Sequence, residues 1–314
     1  MLHGALLVDK PVGISSFAVL AELQKSTGLP RKERPKLGHG GTLDPFATGL
    51  LVVCVGEGTK LSQYFLKSQK KYEGEIVFGT STASGDFTNE VTATSPHLPE
   101  SVEQIQLAAN GFSLEPYLQV PPMYSAIKQQ GKPLYELARQ GIEVAREARL
   151  CEISDFKISD YLPPVAKFSV TCSAGTYIRV LAEDLAKKMG TLAHLKSLRR
   201  VASGNFSIQN ALPLKILCET PMATWPSLPA WVPFDSMLGA YSARGYTKLQ
   251  ISAEHYTALV YGQKAVLPSI LANLPPALSH DAPPSPLLLY FGTHLVGIIS
   301  HSQLDRVFPL QNRE

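Results

Sequence analysis

The sequence predicts an α+β protein in which helices flank a large sheet domain and a small β module follows at the C-terminus. Apolar and polar residues alternate over 72–78 and 166–173, as they do in strands that bury one face. Apolar residues recur every three or four positions over 16–23 and 178–189, which indicates amphipathic helices. Several short strands are predicted after position 236, and they favour a small β-barrel.

The N-terminal elements follow from apolar runs and the residues at their boundaries. Strands are predicted at 4–8 and 50–55, and a helix is predicted at 59–67. A helix opened by Ser15 or Ser16 should direct Phe17, Leu20 and Leu23 toward the core. The basic segment 28–37 after this helix is expected to be a loop.

The middle of the chain carries helix boundary signals. Ser101 and Gln104 form a capping-box pair, which predicts a helix that extends to about position 109. Within the polar, proline-containing segment 116–149, a helix is predicted from Leu134 to Gln140, and Gly141 should end it. The helix at 178–189 should likewise end at a glycine, at position 190.

The C-terminal part is expected to form a separate module. The stretch 221–233 contains prolines and tryptophans and is predicted to be a linker. One helix is predicted at 252–261, and strands are predicted at 247–251, 264–267, 287–291, 295–299 and 306–310. The stretch 268–286 contains six prolines and is expected to be an irregular loop.

Composition excludes several classes of protein. The chain has 314 residues, of which 45% are hydrophobic and 18% charged, as in folded globular proteins and unlike disordered or fibrous ones. Its apolar runs are shorter than the roughly 20 residues that span a bilayer, and its first residues lack the pattern of a signal peptide, so we expect a cytoplasmic protein. The cysteines at 54, 151, 172 and 218 form no Cys-x-x-Cys pair. We expect them to be reduced, and we expect no metal site.

Basic residues are concentrated in three clusters, although the formal net charge is only +3. Each cluster lies beside a candidate site motif, and together they suggest phosphate contacts with a nucleic acid. A solvated face is the simpler explanation of any one cluster. The clusters comprise Arg31, Lys32, Arg34 and Lys36; Lys60, Lys67, Lys70 and Lys71; and Lys187, Lys188, Lys196, Arg199 and Arg200, with His194 among the last group.

The segment 38–51, GHGGTLDPFATGLL, carries the strongest indication of chemistry. It sets Asp44 between a glycine loop that contains His39 and an apolar run, and glycines in such a loop allow close approach of a bulky ligand. Taken alone, Asp44 before Pro45 is better explained as the N-cap of a helix with proline at its first position. The neighbouring motifs shift the balance toward an active site.

Together with several other blocks, this loop resembles the TruB family of tRNA pseudouridine synthases. The other blocks contain Lys10 in LLVDKPVGISS, Tyr72 in KKYEGEIVFG, and Tyr177 and Arg179 in SAGTYIRVLAEDLA. The resemblance also includes PPMYSAIKQQGKPLYELARQGIEVAREAR at 121–149 and HLKSLRRVASGNFSI at 194–208. The blocks occur in the family's order and cover most of residues 4–215.

The resemblance implies a fold, a reaction and a substrate. It implies a mixed, mainly antiparallel sheet in a catalytic domain at 1–235, with 116–149 as an insertion that clasps RNA. A PUA-like RNA-binding barrel is implied at 236–314, where the sequence match is weak. The implied reaction is the cofactor-free isomerisation of uridine to pseudouridine, by base flipping, at position 55 in the T-loop of tRNA. A monomer with no obligatory protein partner needs no further assumption.

The resemblance also implies roles for the catalytic residues. The carboxylate of Asp44 would act as a nucleophile on the sugar or base, or as a base that takes a proton from the ribose. Arg179 would pair with Asp44 through a bidentate guanidinium, whereas a helix pair with Glu183 is the structural alternative. Tyr72 would stack on the flipped uracil and could transfer a proton, although a cross-strand core position would also explain it.

Four further residues are expected to bind the substrate. Tyr177 and Leu198 would form apolar walls, or they are ordinary core residues. His39 would brace the gap that the flipped base leaves, or it is an exposed loop residue. Lys10 would support the site electrostatically, or it is an exposed lysine at the end of a strand.

Two features complicate this interpretation. Where the family shows Thr-Asp-Thr with a later Asp and Gly, this chain has 82–84 as Thr-Ala-Ser, then Asp86, and Asn89 in place of the glycine, so this loop is expected to contact RNA differently. The residues Gly56, Gly58, Thr59 and Lys60 suggest a phosphotransferase loop, but their order is not that of a Walker motif. A non-catalytic RNA-binding protein is the stronger alternative, but it would not need Asp44, Tyr72 and Arg179 together.

Overall fold

The computed structural model describes residues 2–129, 131–238, 247–274, 286–300 and 303–310. Its strands are β1 (Gly4–Lys10), β2 (Leu37–His39), β3 (Thr48–Val55), β4 (Lys70–Phe78), β5 (Thr80–Thr82), β6 (Val91–Thr94), β7 (Tyr117–Gln119), β8 (Lys128–Gln129), β9 (Lys132–Pro133), β10 (Arg149–Cys151), β11 (Ile153–Leu162), β12 (Val165–Cys172), β13 (Ala193–Ser203), β14 (Phe206–Ser207), β15 (Leu212–Pro213), β16 (Trp231–Pro233), β17 (Thr247–Gln250), β18 (Leu287–Phe291), β19 (His294–Ser300) and β20 (Gln303–Val307). Its α-helices are α1 (Ser16–Ser26), α2 (Ser62–Leu66), α3 (Val102–Leu114), α4 (Leu134–Arg139), α5 (Ile178–Lys188), α6 (Leu214–Glu219), α7 (Ala253–Val260) and α8 (Leu267–Ala272).

One large mixed sheet dominates the fold, with strand order β11-β12-β4-β13-β3-β1-β15. The strands β2, β14 and β16 pair with β3, β13 and β1 beside this path. Neighbouring strands are antiparallel except for β13 with β3 and β1 with β15. This architecture confirms the α+β class.

The pattern of apolar residues in each strand follows from what covers the sheet. On β4 the buried residues Tyr72, Ile76 and Phe78 alternate with less buried ones, as the sequence predicts, and β4 lies in the interior of the sheet. On β3 nearly every side chain is buried, because both faces of the strand are covered. Leu51 and Val53 face the main core, whereas Leu50, Val52 and Cys54 face a second core shared with the C-terminal strands.

The predicted starts of the helices agree with the structure better than their predicted buried faces and ends do. The N-cap of α1 is Ser15, whose Oγ accepts a hydrogen bond from the amide of Ala18. The prediction for Phe17 is wrong, since this side chain is 76% exposed and the buried face of α1 is formed by Ser16, Val19, Leu20 and Leu23. Ser101 caps α3 as predicted, but the helix continues to Leu114. The helix predicted at 59–67 begins as a 3₁₀ turn over Gly56–Leu61 and becomes α2 only at Ser62.

The stretch 221–233 is part of the sheet domain, so its prediction as a linker is wrong. Met222–Ser227 forms a 3₁₀ helix in which Trp225 is fully buried. The Trp225 indole Nε1 donates to the Thr220 carbonyl at 3.3 Å. The following strand β16 pairs with β1, an interaction that the proline content of the sequence conceals.

The C-terminal segment contains a four-stranded sheet in the order β17-β18-β19-β20. The strand predicted at 264–267 is wrong, because Lys264–Val266 is a 3₁₀ helix that leads into α8. The strand predicted at 306–310 occurs earlier, as β20. Of the loop expected at 268–286, the first residues belong to α8, and 275–285 lie outside the described residues. A closed barrel is not formed by the strands in the described part of this segment.

The described α-helices of the protein are short, from five residues in α2 to thirteen in α3. Within the described ranges, none is long and apolar enough to cross a bilayer.

Candidate active site

Asp44 lies in the connection from β2 to β3, and it does not cap a helix. The carbonyl of Asp44 accepts a hydrogen bond from the amide of Ala47 at 3.1 Å, which closes a turn that leads directly into β3. The preceding residues are anchored by Ser16 of α1, whose Oγ accepts from the Leu43 amide at 2.8 Å and contacts the Leu43 carbonyl at 3.1 Å. The Asp44 side chain is therefore carried by a loop that is fixed on its N-terminal side.

Arg179, in the first turn of α5, makes the contact with Asp44 that the resemblance implies. Its Nε lies 2.9 Å from Asp44 Oδ2, and the residue is only 3% exposed. The contact uses one nitrogen, so the bidentate geometry expected from the sequence is wrong. The other guanidinium nitrogens donate to the carbonyls of Ser84, at 2.6 Å, and Tyr124, at 2.8 Å. No ion pair joins Arg179 to Glu183 among the described residues.

Asp86 is a site residue to which the sequence analysis gave no role. Its Oδ2 lies 3.8 Å from Arg179 Nε, and its Oδ1 accepts from Ser84 Oγ at 2.9 Å and from the Thr88 amide at 3.0 Å. Asp86 is 4% exposed, so it provides Arg179 with a second, buried carboxylate. The only sequence signal was its place in the loop that departs from the family pattern.

An apolar cavity of about 370 Å³ opens beside Asp44. The structure brings Tyr72, Tyr177 and Leu198 together in its lining. Tyr72 on β4 and Leu198 on β13 are both buried, and burial raises the pKa of the Tyr72 phenol. Burial also raises the pKa of Tyr177, which precedes α5. Both phenols are therefore neutral at physiological pH.

Tyr177 is held by the segment 116–149. The side chain of Gln119 on β7 accepts from the Tyr177 amide at 2.7 Å and donates to the Tyr177 carbonyl at 3.0 Å. Gln119 itself is 1% exposed, and both bonds are at least partly buried. The segment thus contributes to the site wall through Gln119 as well as through the Tyr124 carbonyl.

Lys10 is completely buried, so its interpretation as an exposed lysine is wrong. Its Nζ donates to the carbonyls of Pro11, Ile14 and Pro45 at 2.9, 2.8 and 3.3 Å. Burial lowers the pKa of Lys10 to about 8, and the nearby Asp44 carboxylate opposes that shift. Because Lys10 lines neither cavity beside Asp44, it braces the Pro45 side of the loop from behind.

Two residues of the basic clusters, Lys70 and Arg200, are buried cations that line the smaller cavity and bind backbone carbonyls, an arrangement that does not favour phosphate contacts. Arg200, at 1% exposure, donates to the carbonyls of Gly41, Thr42 and Leu50 at 3.0, 3.2 and 2.8 Å. Lys70 donates to the Phe65 carbonyl at 2.7 Å, and burial together with Arg200 lowers its pKa to about 7. Arg200 therefore holds the glycine loop that precedes Asp44.

The other members of the clusters differ in pairing and in exposure. Lys60 pairs with Glu57, Lys196 with Glu75 and Arg199 with Asp9, and His194 is buried next to Thr80. Arg34 and Lys71 are half-buried. The exposed cations outside these ion pairs are Arg31, Lys32, Lys36, Lys67, Lys187 and Lys188.

His39 ends β2 and lines a second cavity, of about 900 Å³, that also reaches Asp44. The side chain is half-buried, so its interpretation as an exposed loop residue is wrong. Its Nδ1 is buried, and none of the described residues forms a hydrogen bond with it. Burial and the nearby Arg200 lower the pKa of His39, so the neutral imidazole is favoured at this position.

The geometry does not support a phosphotransferase loop at 56–60. These residues form a 3₁₀ helix, and a Cβ at Gly58 would overlap the Gly4 carbonyl oxygen. Lys60 pairs with Glu57 at 2.5 Å. The glycines therefore allow close packing against β1 rather than cradling a phosphate. The described residues also contain no group of three His, Cys, Asp or Glu side chains arranged to bind a metal ion.

Comparison with known proteins identifies the class of enzyme. Residues 30–178 match the model of the TruB family pseudouridylate synthase N-terminal domain. The tRNA pseudouridine synthase B of Opitutus terrae is 42% identical over 221 residues, which cover 70% of this chain and 89% of that protein. The corresponding protein of Bordetella pertussis is 43% identical over 226 residues, which cover 71% of this chain and 89% of that protein.

Solved structures show the same fold. A chain of the Cbf5-Nop10-Gar1 complex superposes with a TM-score of 0.68 over 95% of this chain and 78% of that chain, at 22% identity. The matches define a pseudouridylate synthase, an isomerase. The chain belongs to the TruB family.

Proposed function

We propose that this protein converts uridine to pseudouridine at position 55 in the T-loop of tRNA. The observation that carries the proposal is the Asp44 carboxylate, which Arg179 holds at the edge of an apolar cavity lined by Tyr72 and Leu198. The family match and relatives named tRNA pseudouridine synthase B support the reaction and the tRNA substrate. A loop with splayed bases is the kind of RNA whose bases can be extruded into such a cavity.

The reaction requires detachment and rotation of a base that must not escape. The bond from C1′ of the ribose to N1 of uracil breaks, a bond from C1′ to C5 forms, and the C5 proton is finally lost to solvent as N1 gains one. Asp44 starts this sequence by attack on the sugar or the base, or by removal of a ribose proton that gives a glycal. Substrate and product are isomers, so the reaction needs no redox cofactor.

The surrounding residues would orient and confine the reacting groups. Arg179 would hold the carboxylate in place at the edge of the cavity. Tyr72 would stack on the detached uracil and, as a neutral phenol, could donate a proton. Tyr177 and Leu198 would form the walls that retain the base.

Two further residues would act on either side of the Asp44 loop. His39 would occupy the space that the flipped base leaves in the RNA, since its half-buried imidazole faces the second cavity. Lys10 would maintain the turn after Asp44 and add positive potential behind the carboxylate.

The rest of the RNA would be bound outside the two cavities. The exposed cations in the loop before β2, such as Arg31 and Lys32, suit phosphate contacts. We propose that 116–149 clasps the loop of the RNA, and that 236–314 is a PUA-like RNA-binding module of a monomeric, cytoplasmic enzyme with a catalytic domain at 1–235. The four free cysteines suit a reducing compartment.

The test is to locate the modified nucleotide. An unmodified tRNA transcript is incubated with the protein, treated with a carbodiimide that marks pseudouridine, and read by reverse transcription. We expect one new stop, at the nucleotide on the 3′ side of position 55, and no such stop in a transcript that carries cytidine at position 55. A stop at another uridine would contradict the site that we propose, and RNA binding without any stop would indicate a non-catalytic RNA-binding protein.

A further inference from the structure

The smaller cavity beside Asp44 has two buried cations in its wall. Arg200 on β13 is 1% exposed, Lys70 at the start of β4 is 5% exposed, and both line this cavity together with Gly41. A Cβ on Gly41 would lie 3.5 Å from Arg200 Nη1 and 3.6 Å from Lys70 Cε, so the two side chains meet beside this glycine. Positive charge is therefore concentrated at one place in the cavity wall.

Within the described residues, no carboxylate forms an ion pair with Lys70 or Arg200. Their partners are neutral groups, namely backbone carbonyls and the hydroxyls of Ser68 and Tyr72. Burial of a cation without a counter-ion is costly, and a neutral N–H donor could also bind a carbonyl. Attachment of the glycine loop therefore explains the hydrogen bonds of Arg200 but not its charge.

Arg200 also affects the protonation of neighbouring groups. Burial lowers the pKa values of Lys70, Lys10 and His39, and Arg200 lowers each of them further by repulsion between like charges. A further positive charge is thus unfavourable at this site, whereas a negative charge in the cavity would be attracted.

The guanidinium of Arg200 has a hydrogen-bond donor left for a ligand. A guanidinium has five N–H donors. Among the described residues, three carbonyls and the Tyr72 phenol account for four of them. One N–H of a terminal nitrogen therefore remains for a group that enters the cavity.

Every reaction route open to Asp44 places a negative charge on uracil. When the bond from C1′ to N1 breaks, its electron pair passes to N1 and spreads to O2 and O4, whether Asp44 attacks C1′ or removes a ribose proton. Attack of Asp44 on the base instead moves an electron pair to C5 and O4. In each case Asp44 has become an ester or a carboxylic acid, so the uracil carries the only new negative charge.

We propose that Arg200, with Lys70 beside it, stabilises the negative charge that develops on the uracil ring during the reaction. The proposal rests on the function proposed above, because it takes uridine as the reacting group. Backbone carbonyls fix Arg200 before the charge develops, so little reorganisation is needed. In a buried cavity its attraction for the base is also weakly screened by water.

The test measures the affinity of the cavity for a uracil anion, apart from turnover. Asp44→Asn is the parent protein, because its neutral side chain replaces a carboxylate that has lost its charge. Kd is measured by calorimetry for 5-nitrouracil, which is an anion at neutral pH, and for thymine, which is neutral and also carries a group at C5. A hydrogen bond to a charged group is stronger than a neutral one, so we expect 5-nitrouracil to bind roughly 10- to 100-fold more tightly.

Charge-changing variants in the Asp44→Asn protein locate the source of this preference. Arg200→Gln should lose most of it, whereas Arg200→Lys keeps the charge and should retain part of it. Lys70→Gln should weaken it several-fold, and this variant also tests the proposal if Arg200→Gln does not fold. Arg199→Gln is the matched control, because Arg199 is the next residue on β13, pairs with Asp9 and lines neither cavity. It should leave the preference unchanged.

Equal affinity of the parent protein for the two bases would overturn the proposal. A preference for 5-nitrouracil that survives both Arg200→Gln and Lys70→Gln would also overturn it. If the parent prefers 5-nitrouracil through Arg200 but the wild-type protein forms no pseudouridine in RNA, the anion-binding site is retained and the proposed function fails.

Discussion

Arg179 contacts Asp44 through Nε alone, at 2.9 Å from Oδ2, while its two terminal nitrogens are bound to backbone carbonyls. The carbonyls belong to Ser84 and Tyr124, in two loops that are distant from Asp44 in the sequence. The guanidinium is therefore fixed by the protein backbone, and the carboxylate is oriented against it. The same arginine also joins the three segments of chain that enclose Asp44.

We expect Arg179→Lys to lower kcat by about 100-fold or more, because a lysine supplies the charge but cannot make these three contacts together. Arg179→Met should be less stable by about 3–5 kcal/mol, since it leaves the buried Asp86 carboxylate unpaired. Single-turnover kinetics and denaturant unfolding measure the two effects. Arg199→Lys, which alters a partly exposed pair with Asp9, is the control and should change neither quantity appreciably. A fully active Arg179→Lys protein would contradict the positioning role.

Glu183 gives the protein a pH-dependent term in its stability. Burial and the neighbouring Asp184 raise the pKa of Glu183 from 4.5 to about 7. Between these two pH values the unfolded chain loses this proton and the folded protein keeps it, so the contribution of Glu183 to stability falls as pH rises through that range.

We therefore expect Glu183→Gln to raise the free energy of unfolding at pH 8 by about 1 kcal/mol, a value reduced because the side chain is partly exposed. At pH 4.5 the same substitution should have little effect. Thermal unfolding at the two pH values measures the difference, which corresponds to roughly 2–4 °C at pH 8. An equal change in Tm at both values would show that ionisation of Glu183 is not the cause.

The buried and exposed cations should differ in how they affect RNA binding. Lys32 is exposed in the loop before β2, whereas Lys70 is buried and bonded to the Phe65 carbonyl. Each phosphate contact contributes roughly one unit to the slope of log Kobs against log salt. We expect Lys32→Ala to reduce that slope by about one and Lys70→Met to leave it unchanged. A reduced slope in Lys70→Met would place its ammonium group on the RNA after all.

Trp225 should be essential for the stability of the sheet domain. Its side chain is fully buried in the segment that connects α6 to β16. We expect Trp225→Ala to lower the free energy of unfolding by about 3–5 kcal/mol, as removal of a buried aromatic side chain does. Denaturant unfolding measures this loss, and Ile216→Ala on the partly exposed face of α6 is the control. A loss below about 1 kcal/mol would instead agree with a loosely attached linker.

Local patterns predicted the parts of the fold that depend on residues close together in the sequence. Alternation located β4 and β12, and the Ser15 and Ser101 caps marked the starts of α1 and α3. The prediction of which residues of α1 face the core was partly wrong. A stripe of apolar residues at helical spacing cannot distinguish a residue that packs in the core from one, such as Phe17, that lines a cavity. Pairing of β16 with β1 depends on residues more than 200 positions apart, for which the proline-rich sequence gives no signal.

The candidate site was predicted from motifs, and its supporting residues were not. Asp44, Tyr72, Tyr177 and Leu198 line one cavity, and Arg179 contacts Asp44. The buried positions of Lys10, Lys70 and Arg200 could not be inferred, because a buried cation is recognised by the carbonyl groups around it and those come from distant segments. Composition favours the opposite expectation, since most lysines and arginines are exposed.

The most direct measurement is tritium release from tRNA labelled with [5-³H]uridine, with RNA binding followed in parallel, for the wild-type protein and Asp44→Ala. Formation of the bond from C1′ to C5 displaces the tritium at C5, so release reports the reaction itself. We expect release by the wild type, and we expect Asp44→Ala to bind RNA with a similar Kd and to release none. Release by Asp44→Ala at the wild-type rate, or binding without release by both proteins, would contradict the assignment of Asp44 as the catalytic residue.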